Sequence, residues 1–244
     1  MPVLVTNVCE YTGPGVVPAL LRDHAVVFCH DRSFANVAAR HSFEAAHPGA
    51  VALSGQTPSE LVTQLGSSPH LASVPLTAVV HNDVHPNTPL PIEAIPADHF
   101  QGAWQALYMF PVQLTQLLLP AMKQAKQGRW VFVTSARHLQ PEPGFAVATS
   151  IRAATTAFAQ ALAREAAPHQ VQVNVVEPNY LYSEAYYPRA TFLDTEEGRA
   201  RIAARVPMGR LGDPAEVGEL IAFLVSGRST FVTGQVIGFT GGWP

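Results

Sequence analysis

An α/β protein built on one parallel sheet is what this sequence predicts, and three observations predict it. Short apolar runs of four to seven residues recur along the chain, each followed by a segment with helical spacing. The runs are apolar throughout instead of alternating, as strands buried on both faces are. The 244 residues, 48% of them hydrophobic, suit a single domain large enough to cover both faces of a sheet.

The elements follow in order. VLVTN (3–7) is the first strand, and GVVPALLRD (15–23) reads as a helix that tolerates Pro18 because it falls near the first turn. AVVFCHD (25–31) is the second strand. The amphipathic segment 33–49 is a helix stopped by Pro48 and Gly49. AVAL (50–53) is the third strand, with a helix over 58–66, and LTAVVHND (76–83) is the fourth. A long helix spans 97–123, GRWVFVTSA (128–136) is the fifth strand, and a second long helix spans 149–167. VQVNVVEPN (171–179), a helix over 213–227 and QVIGFTGG (235–242) complete the pattern. The proline-rich pieces 85–96 and 139–144 read as loops. Right-handed crossovers place helices on both faces. The chain is therefore expected to be one domain over 1–244, a Rossmann-type doubly wound sheet of about seven strands. Such sheets bind ligands at the carboxyl ends of their strands, so the chemistry is expected just after residues 7, 83, 135 and 178.

Composition excludes several classes. With 15 Lys and Arg against 18 Asp and Glu, the net charge of −3 gives no reason to expect a nucleic-acid partner. No run approaches the ~18 apolar residues that cross a bilayer. The chain opens directly on a strand without a charged leader, so a soluble, cytoplasmic protein is expected. Cys9 and Cys29 are too few for a disulfide scaffold, and each lies near the end of an apolar run, where buried, inert thiols are common. The ten histidines are scattered without an HExxH pair, and no metal site is expected.

The first strand-to-helix turn, TNVCEYTG (6–13), departs from a dinucleotide-binding turn. Glycines there let the backbone approach a pyrophosphate without a Cβ in the way. Here the positions hold Asn7 and Tyr11, and only Gly13 remains. VVHND (79–83) ends the fourth strand with Asn82 and Asp83, which are expected to tie loop backbone together. Ser135 follows the fifth strand, and Arg152 stands in the next helix. Asp31 ends the second strand, where a capping or turn role before Ser33 is expected.

These residues, with the tail RLGDPAEVGELIAFLVSG…TGQVIGFTGG (210–242), resemble the short-chain dehydrogenase/reductase superfamily over nearly the whole chain. That superfamily's signature T-G-x3-G-x-G falls on Thr6, Asn7, Tyr11 and Gly13 with two glycines lost. Its reductases use a Tyr and a Lys four residues later. The two lysines here, Lys123 and Lys126, lie before the fifth strand, and Arg152 takes the helix position. An aromatic residue in the glycine loop with Arg for Lys is similar to the halohydrin dehalogenases, relatives that lack NAD(P). Their turn, T-x4-(F/Y)-x-G, fits residues 6–13, and PNYLYSEAYYP (178–188) resembles the loop they place around a halide.

What the resemblance implies is concrete. In that family a Tyr, its pKa lowered by the Arg, takes the hydroxyl proton of a vicinal haloalcohol while a Ser holds the oxygen. The alkoxide displaces halide and leaves an epoxide; the reverse reaction opens epoxides with small anions. Ser135 and Arg152 match the outer members of the pattern S-x12-Y-x3-R. Tyr11, Asn82, Pro178, Asn179, Tyr180 and Leu181 match the halide and substrate side, and Tyr187 does so less closely because the loop is shorter. No cofactor is expected, and a haloalcohol or epoxide with a halide is the expected partner. Family members pair into dimers or tetramers through the helices at 97–123 and 149–167, whose apolar faces are broad here. The end of the chain, with Trp243, is expected to dock on a neighbouring copy.

One position departs from the pattern. Thirteen residues after Ser135 stands Ala148 where the family has its Tyr. Three alternatives follow. The site works with a substituted base: His138, a phenol of Tyr180, Tyr186 or Tyr187, or water beside Arg152. The chain is a dehalogenase fold that no longer dehalogenates, or a variant made to lack the base, and so a non-catalytic small-molecule or anion binder. Or it is an NAD(P)-dependent reductase whose motifs have drifted, against which the missing Tyr and Lys both count. For His138, a solvated loop pair with Arg137 is the plainer expectation.

Overall fold

The computed structural model describes residues 1–244 apart from Ala25 and Asn87. Seven strands form one sheet in the order β3-β2-β1-β4-β5-β6-β7, and every neighbouring pair is parallel. They are β1 (Val3–Val5), β2 (Val27–His30), β3 (Ala50–Leu53), β4 (Ala78–His81), β5 (Gly128–Val133), β6 (Val171–Pro178) and β7 (Val236–Phe239). The order reverses between β1 and β4, which opens the crevice where doubly wound sheets bind ligands. The strands end before the apolar runs do, because the side chains of Thr6, Asn7, Asn82 and Asp83 turn to cross-linking at the crevice. The start of the predicted second strand, Ala25, lies outside the described residues, as does Asn87 of the predicted 85–96 loop.

Helices cover both faces. On one lie α1 (Gly13–Asp23), α2 (Val37–Ala46) and α9 (Pro214–Ser226); on the other α3 (Pro58–Ser67), α5 (Phe110–Ala125) and α6 (Ala146–Ala166). The α1–α9 contact is backbone-close: a Cβ on Gly15 would sit 1.7 Å from the Pro214 carbonyl oxygen. Pro18 stands on the exposed side of α1. Capping boxes start α3 at Thr57/Glu60 and α9 at Asp213/Glu216.

Two expected helices divide. The 33–49 segment is a 3-10 turn at Arg32–Ala35 followed by α2, because the Asn36 side chain caps a new start by accepting from the Ala38 and Ala39 N–H groups. The 97–123 helix is α4 (Ala97–Trp104), a π turn at Gln105–Met109 and then α5. Pro111 explains the π turn, since it brings no N–H to the Leu107 carbonyl. The Thr155 hydroxyl of α6 donates to that carbonyl instead, at 2.8 Å. Two short helices in the stretch between strand six and the last helix were not expected, α7 (Arg189–Phe192) and α8 (Glu196–Ala203), the second capped by Thr195.

Trp243, expected at a contact with a neighbouring copy, packs within its own chain. It is buried, 5.7 Å edge-on to Tyr180 in a cluster with Ile202, Val206 and Leu211. No helix is long and apolar enough to cross a membrane among the described residues.

Candidate active site

The crevice is built by four strand ends. Beyond β1 the chain turns through Asn7 and Tyr11, both with left-handed backbone (φ 48° and 56°), before α1 begins. Left-handed backbone is costly for residues with a Cβ, so the turn is held from elsewhere. Asn82, fully buried, accepts from the Thr12 hydroxyl at 2.7 Å and donates to the Asn7 and Glu10 carbonyls at 2.8 and 2.9 Å. Asn7 in turn donates to Asp83 at 2.8 Å. Asn82 is therefore a clamp of the turn, as its place at the strand end led one to expect. It is absent from the lining of the cavity around Tyr11 and Arg152, which corrects its placement on the substrate side: its amide is engaged by the turn.

The turn aims the Tyr11 ring inward. Its hydroxyl donates to the Thr134 carbonyl at 3.2 Å, and its ring centre lies 5.2 Å from the Arg152 guanidinium carbon. Arg152, only 9% exposed, donates to the carbonyls of Val133, Thr134 and Asp83 at 3.2, 3.3 and 3.1 Å. Among the described residues no carboxylate pairs with it. A buried guanidinium satisfied by carbonyls alone leaves a positive field at the strand ends.

Around these two side chains lies a cavity of about 50 Å³, several times the ~10–15 Å³ that one water needs. Tyr11, Ser135, Ala148, Arg152, Pro178, Asn179, Tyr180, Leu181 and Tyr187 line it. The expected site residues other than Asn82 are thus brought together. Ser135 begins a 3-10 turn whose Arg137 N–H its oxygen accepts at 3.3 Å, leaving the hydroxyl hydrogen free to donate. The Ala148 methyl faces the cavity. Tyr180 is held in left-handed backbone (φ 52°) by the Gly212 N–H on its carbonyl and by the Asn179 side chain on its own N–H. Among the described residues no acceptor meets the Leu181 N–H.

Sequence reasoning passed over Arg137 and Thr149 as lining residues, while Tyr186, named there only as a possible base, also lines the cavity. Position alone marked Arg137, a cation two residues beyond Ser135 at a strand end. Glu177 was also passed over. It is 2% exposed and accepts from Thr156 and Thr134 hydroxyls at 2.7 and 3.2 Å. His138 is neither a solvated pair with Arg137 nor a lining residue. It is half-buried, 3.1 Å from the Ser135 carbonyl and 3.8 Å from Glu177.

The phenols stand high. Burial pushes Tyr11 well above the ordinary range, with Arg152 pulling the other way. Burial likewise pushes Tyr187 up to about 12, and raises Tyr180. These three are therefore poor bases near neutral pH. Cys9 corrects the expectation of two buried thiols: the residue is exposed, while Cys29 is buried. Partial burial of its sulfur, then the Asp31 carboxylate, push the Cys9 thiol up to about 12. Asp31 behaves as expected, accepting from the Ser33 N–H and hydroxyl at 2.9 and 2.7 Å. His81 and His85 stand four apart, but His81 is buried against Trp130 and Phe132 while His85 faces His99. No cluster of three metal-ligating side chains occurs among the described residues.

A second cavity, of about 290 Å³, lies across the turn. Asn7, His30, Arg32, Gln56, Asp83 and Phe110 are among its walls. His30 is stacked 5.2 Å from Phe110, with neither ring nitrogen hydrogen-bonded, and burial lowers its pKa.

Comparison with known proteins gives the family. A profile of the family described as Enoyl-(Acyl carrier protein) reductase matches residues 75–244, and the chain belongs to the short-chain dehydrogenase/reductase superfamily. A solved structure described as a dehalogenation enzyme is 36% identical with a TM-score of 0.90, covering 100% of this chain and 98% of the other. A halohydrin dehalogenase bound to ethyl (2S)-oxiran-2-ylacetate is 31% identical with a TM-score of 0.93, covering 100% and 97%. Among curated proteins, the 3-oxoacyl-(acyl-carrier-protein) reductase FabG of Thermotoga maritima is 34% identical over 129 residues, 53% of this chain and 50% of that protein. Protein FixR of Bradyrhizobium diazoefficiens is 32% identical over 179 residues, 70% and 61%. The chain thus spans about half the length of the first of these curated relatives.

Proposed function

We propose that this chain is a cytoplasmic, cofactor-independent lyase of the halohydrin dehalogenase type, converting vicinal haloalcohols to epoxides and halide. One observation carries the reading: the Tyr11 ring and the Arg152 guanidinium, 5.2 Å apart and without a carboxylate partner among the described residues, close a small cavity at the β1–α1 turn. A pyrophosphate at such a turn needs glycine backbone beneath it. The residues here do not fit that group. A left-handed Tyr11 occupies the turn, and Gly13 serves packing instead, since a Cβ on it would meet the Val8 carbonyl oxygen at 2.3 Å. A single polarizable anion fits the N–H of Leu181, the aromatic edges and the field of Arg152.

In the reaction, the Ser135 hydroxyl donates to the substrate oxygen. The hydroxyl proton leaves to a water in the space beside the Ala148 methyl, where the Arg152 charge favours the developing alkoxide. The alkoxide oxygen bonds to the neighbouring carbon as the carbon–halogen bond breaks, and the halide departs with the electron pair. Without a phenol at 148 the general-base contribution, of order 10²–10⁴-fold, is absent, and the rate rests on positioning and electrostatics. The outer faces of α4, α5 and α6, with Phe100 and Leu117 exposed, support pairing of copies into a homo-oligomer.

Incubation with 2-chloro-1-phenylethanol tests the proposal. Chloride and styrene oxide should appear faster than with Ser135→Ala; equal rates would leave the chain a non-catalytic anion binder, the reading Ala148 favours. The names of the curated reductase relatives and the 290 Å³ cavity favour a third reading, an NAD(P)-dependent oxidoreductase. A rise in melting temperature with saturating NADPH would favour it over the lyase.

A further inference from the structure

The small cavity does not end at its tyrosines. A larger one, of about 670 Å³, adjoins it and shares Arg137, Tyr180, Tyr186 and Tyr187 as common wall. Its charge is lopsided: three guanidiniums, from Arg137, Arg201 and Arg205, stand against the single carboxylate of Glu142. Arg137 has that carboxylate at 3.5 Å. Arg201 and Arg205 have none within 4.0 Å among the described residues. On a chain with net charge −3, this is a local excess of cations.

The cations are also positioned. Arg201 lies in the last turn of α8, and Arg205 follows four residues later in the turn that continues it, so both leave the same side of the backbone. The Arg201 guanidinium is 5.0 Å from the Phe192 ring, and that of Arg137 is 4.0 Å from Phe145. Stacking of this kind holds a guanidinium in place and leaves its edge to bond an anion. Between the arginines and the tyrosine wall the lining is apolar, with Phe145, Phe192 and Ile202. Such a cavity suits an apolar spacer that ends in a negative charge.

We propose that the ligand of this site is anionic at its far end: a haloalcohol or epoxide with an alkyl spacer and a terminal carboxylate, which Arg201 and Arg205 bind at the mouth. The assignment of the inner, reacting end rests on the lyase reading above; the preference for a carboxylate does not.

Isothermal titration with 5,6-epoxyhexanoate and with its methyl ester, at low salt, tests this. The guanidiniums are exposed and screened, so a tenfold preference for the acid is the scale expected. That preference should fall below about twofold in Arg201→Ala/Arg205→Ala, with ester affinity unchanged. Arg201→Gln/Arg205→Gln, which keeps the packing on Phe192, should behave alike, and bromide binding reports an intact inner cavity in each variant. Equal affinities in the parent protein, a preference that survives in both variants, or no binding of the acid up to about 10 mM would overturn the inference. A protein that prefers the acid yet releases no halide from 2-chloro-1-phenylethanol keeps this inference and removes the lyase.

Discussion

The two cavities flanking the β1–α1 turn differ in a way that defines the molecule. On the β4–β6 side, guanidiniums and phenols surround a small space also lined by Leu181, whose N–H meets no acceptor among the described residues. On the β2–β3 side, amides and a neutral imidazole surround a wider one, with Arg32 as its cation. A dinucleotide would have to lie across both. Between them the turn is locked by Asn82 and Asn7, and the Tyr11 ring faces the first cavity. One side chain, Tyr11, set by one asparagine clamp, thus lines the first cavity and not the second.

The largest expected effect lies on the phenol-rich side. Ala148→Tyr restores a base beside Arg152, and halide release should rise by about 10²–10⁴-fold. An unchanged rate would mean that the inner cavity is not a lyase site. Next, Arg152→Ala strips the donors from three carbonyls and the charge from the cavity. Bromide binding should vanish, and stability should fall by about 2–3 kcal/mol in denaturant unfolding. Tyr11→Gly opens the wall between the cavities. Bromide affinity should drop about tenfold, whereas the glycine, at home at φ 56°, should limit the stability loss to about 1 kcal/mol.

The smallest effect belongs to the amide-rich side. His30 is buried with its folded-state pKa lowered, first by burial. Its stability contribution is present above the unfolded value near 6.5 and is lost as pH falls below it, because only the unfolded chain then takes up the proton. His30→Phe removes two unbonded ring nitrogens. It should raise the melting temperature at pH 5.5 by a few degrees, about 1 kcal/mol, and by less at pH 8.

Much of this was readable before any coordinates. Strands buried on both faces announce themselves as apolar runs, and the four strand ends named from sequence are those that build the crevice. Strand ends marked where the crevice would lie, and the resemblance to halohydrin dehalogenases placed Tyr11, Ser135, Arg152 and the 178–181 segment together in it. What escaped depends on three-dimensional satisfaction of polar groups. Asn82 was expected both to tie loop backbone and, from the resemblance, to meet substrate; only the first is seen, because its amide is consumed by the Asn7 and Glu10 carbonyls. The π turn follows from Pro111, but only the Thr155 hydroxyl, distant in sequence, makes it affordable. Glu177 looked like any strand residue until two threonine hydroxyls met it. The helices α7 and α8, which bring Arg201 to the mouth, have too few apolar residues for periodicity to find.

The central claim is that Tyr11 holds the room a diphosphate would need, so that a small anion binds instead. The most direct test is a crystal grown with both sodium bromide and NADPH, read by bromine anomalous scattering. The account predicts a bromide peak between Tyr11 and the Leu181 N–H and no coenzyme across the turn. Coenzyme density running from Arg32 past Tyr11 to Ser135 would contradict it.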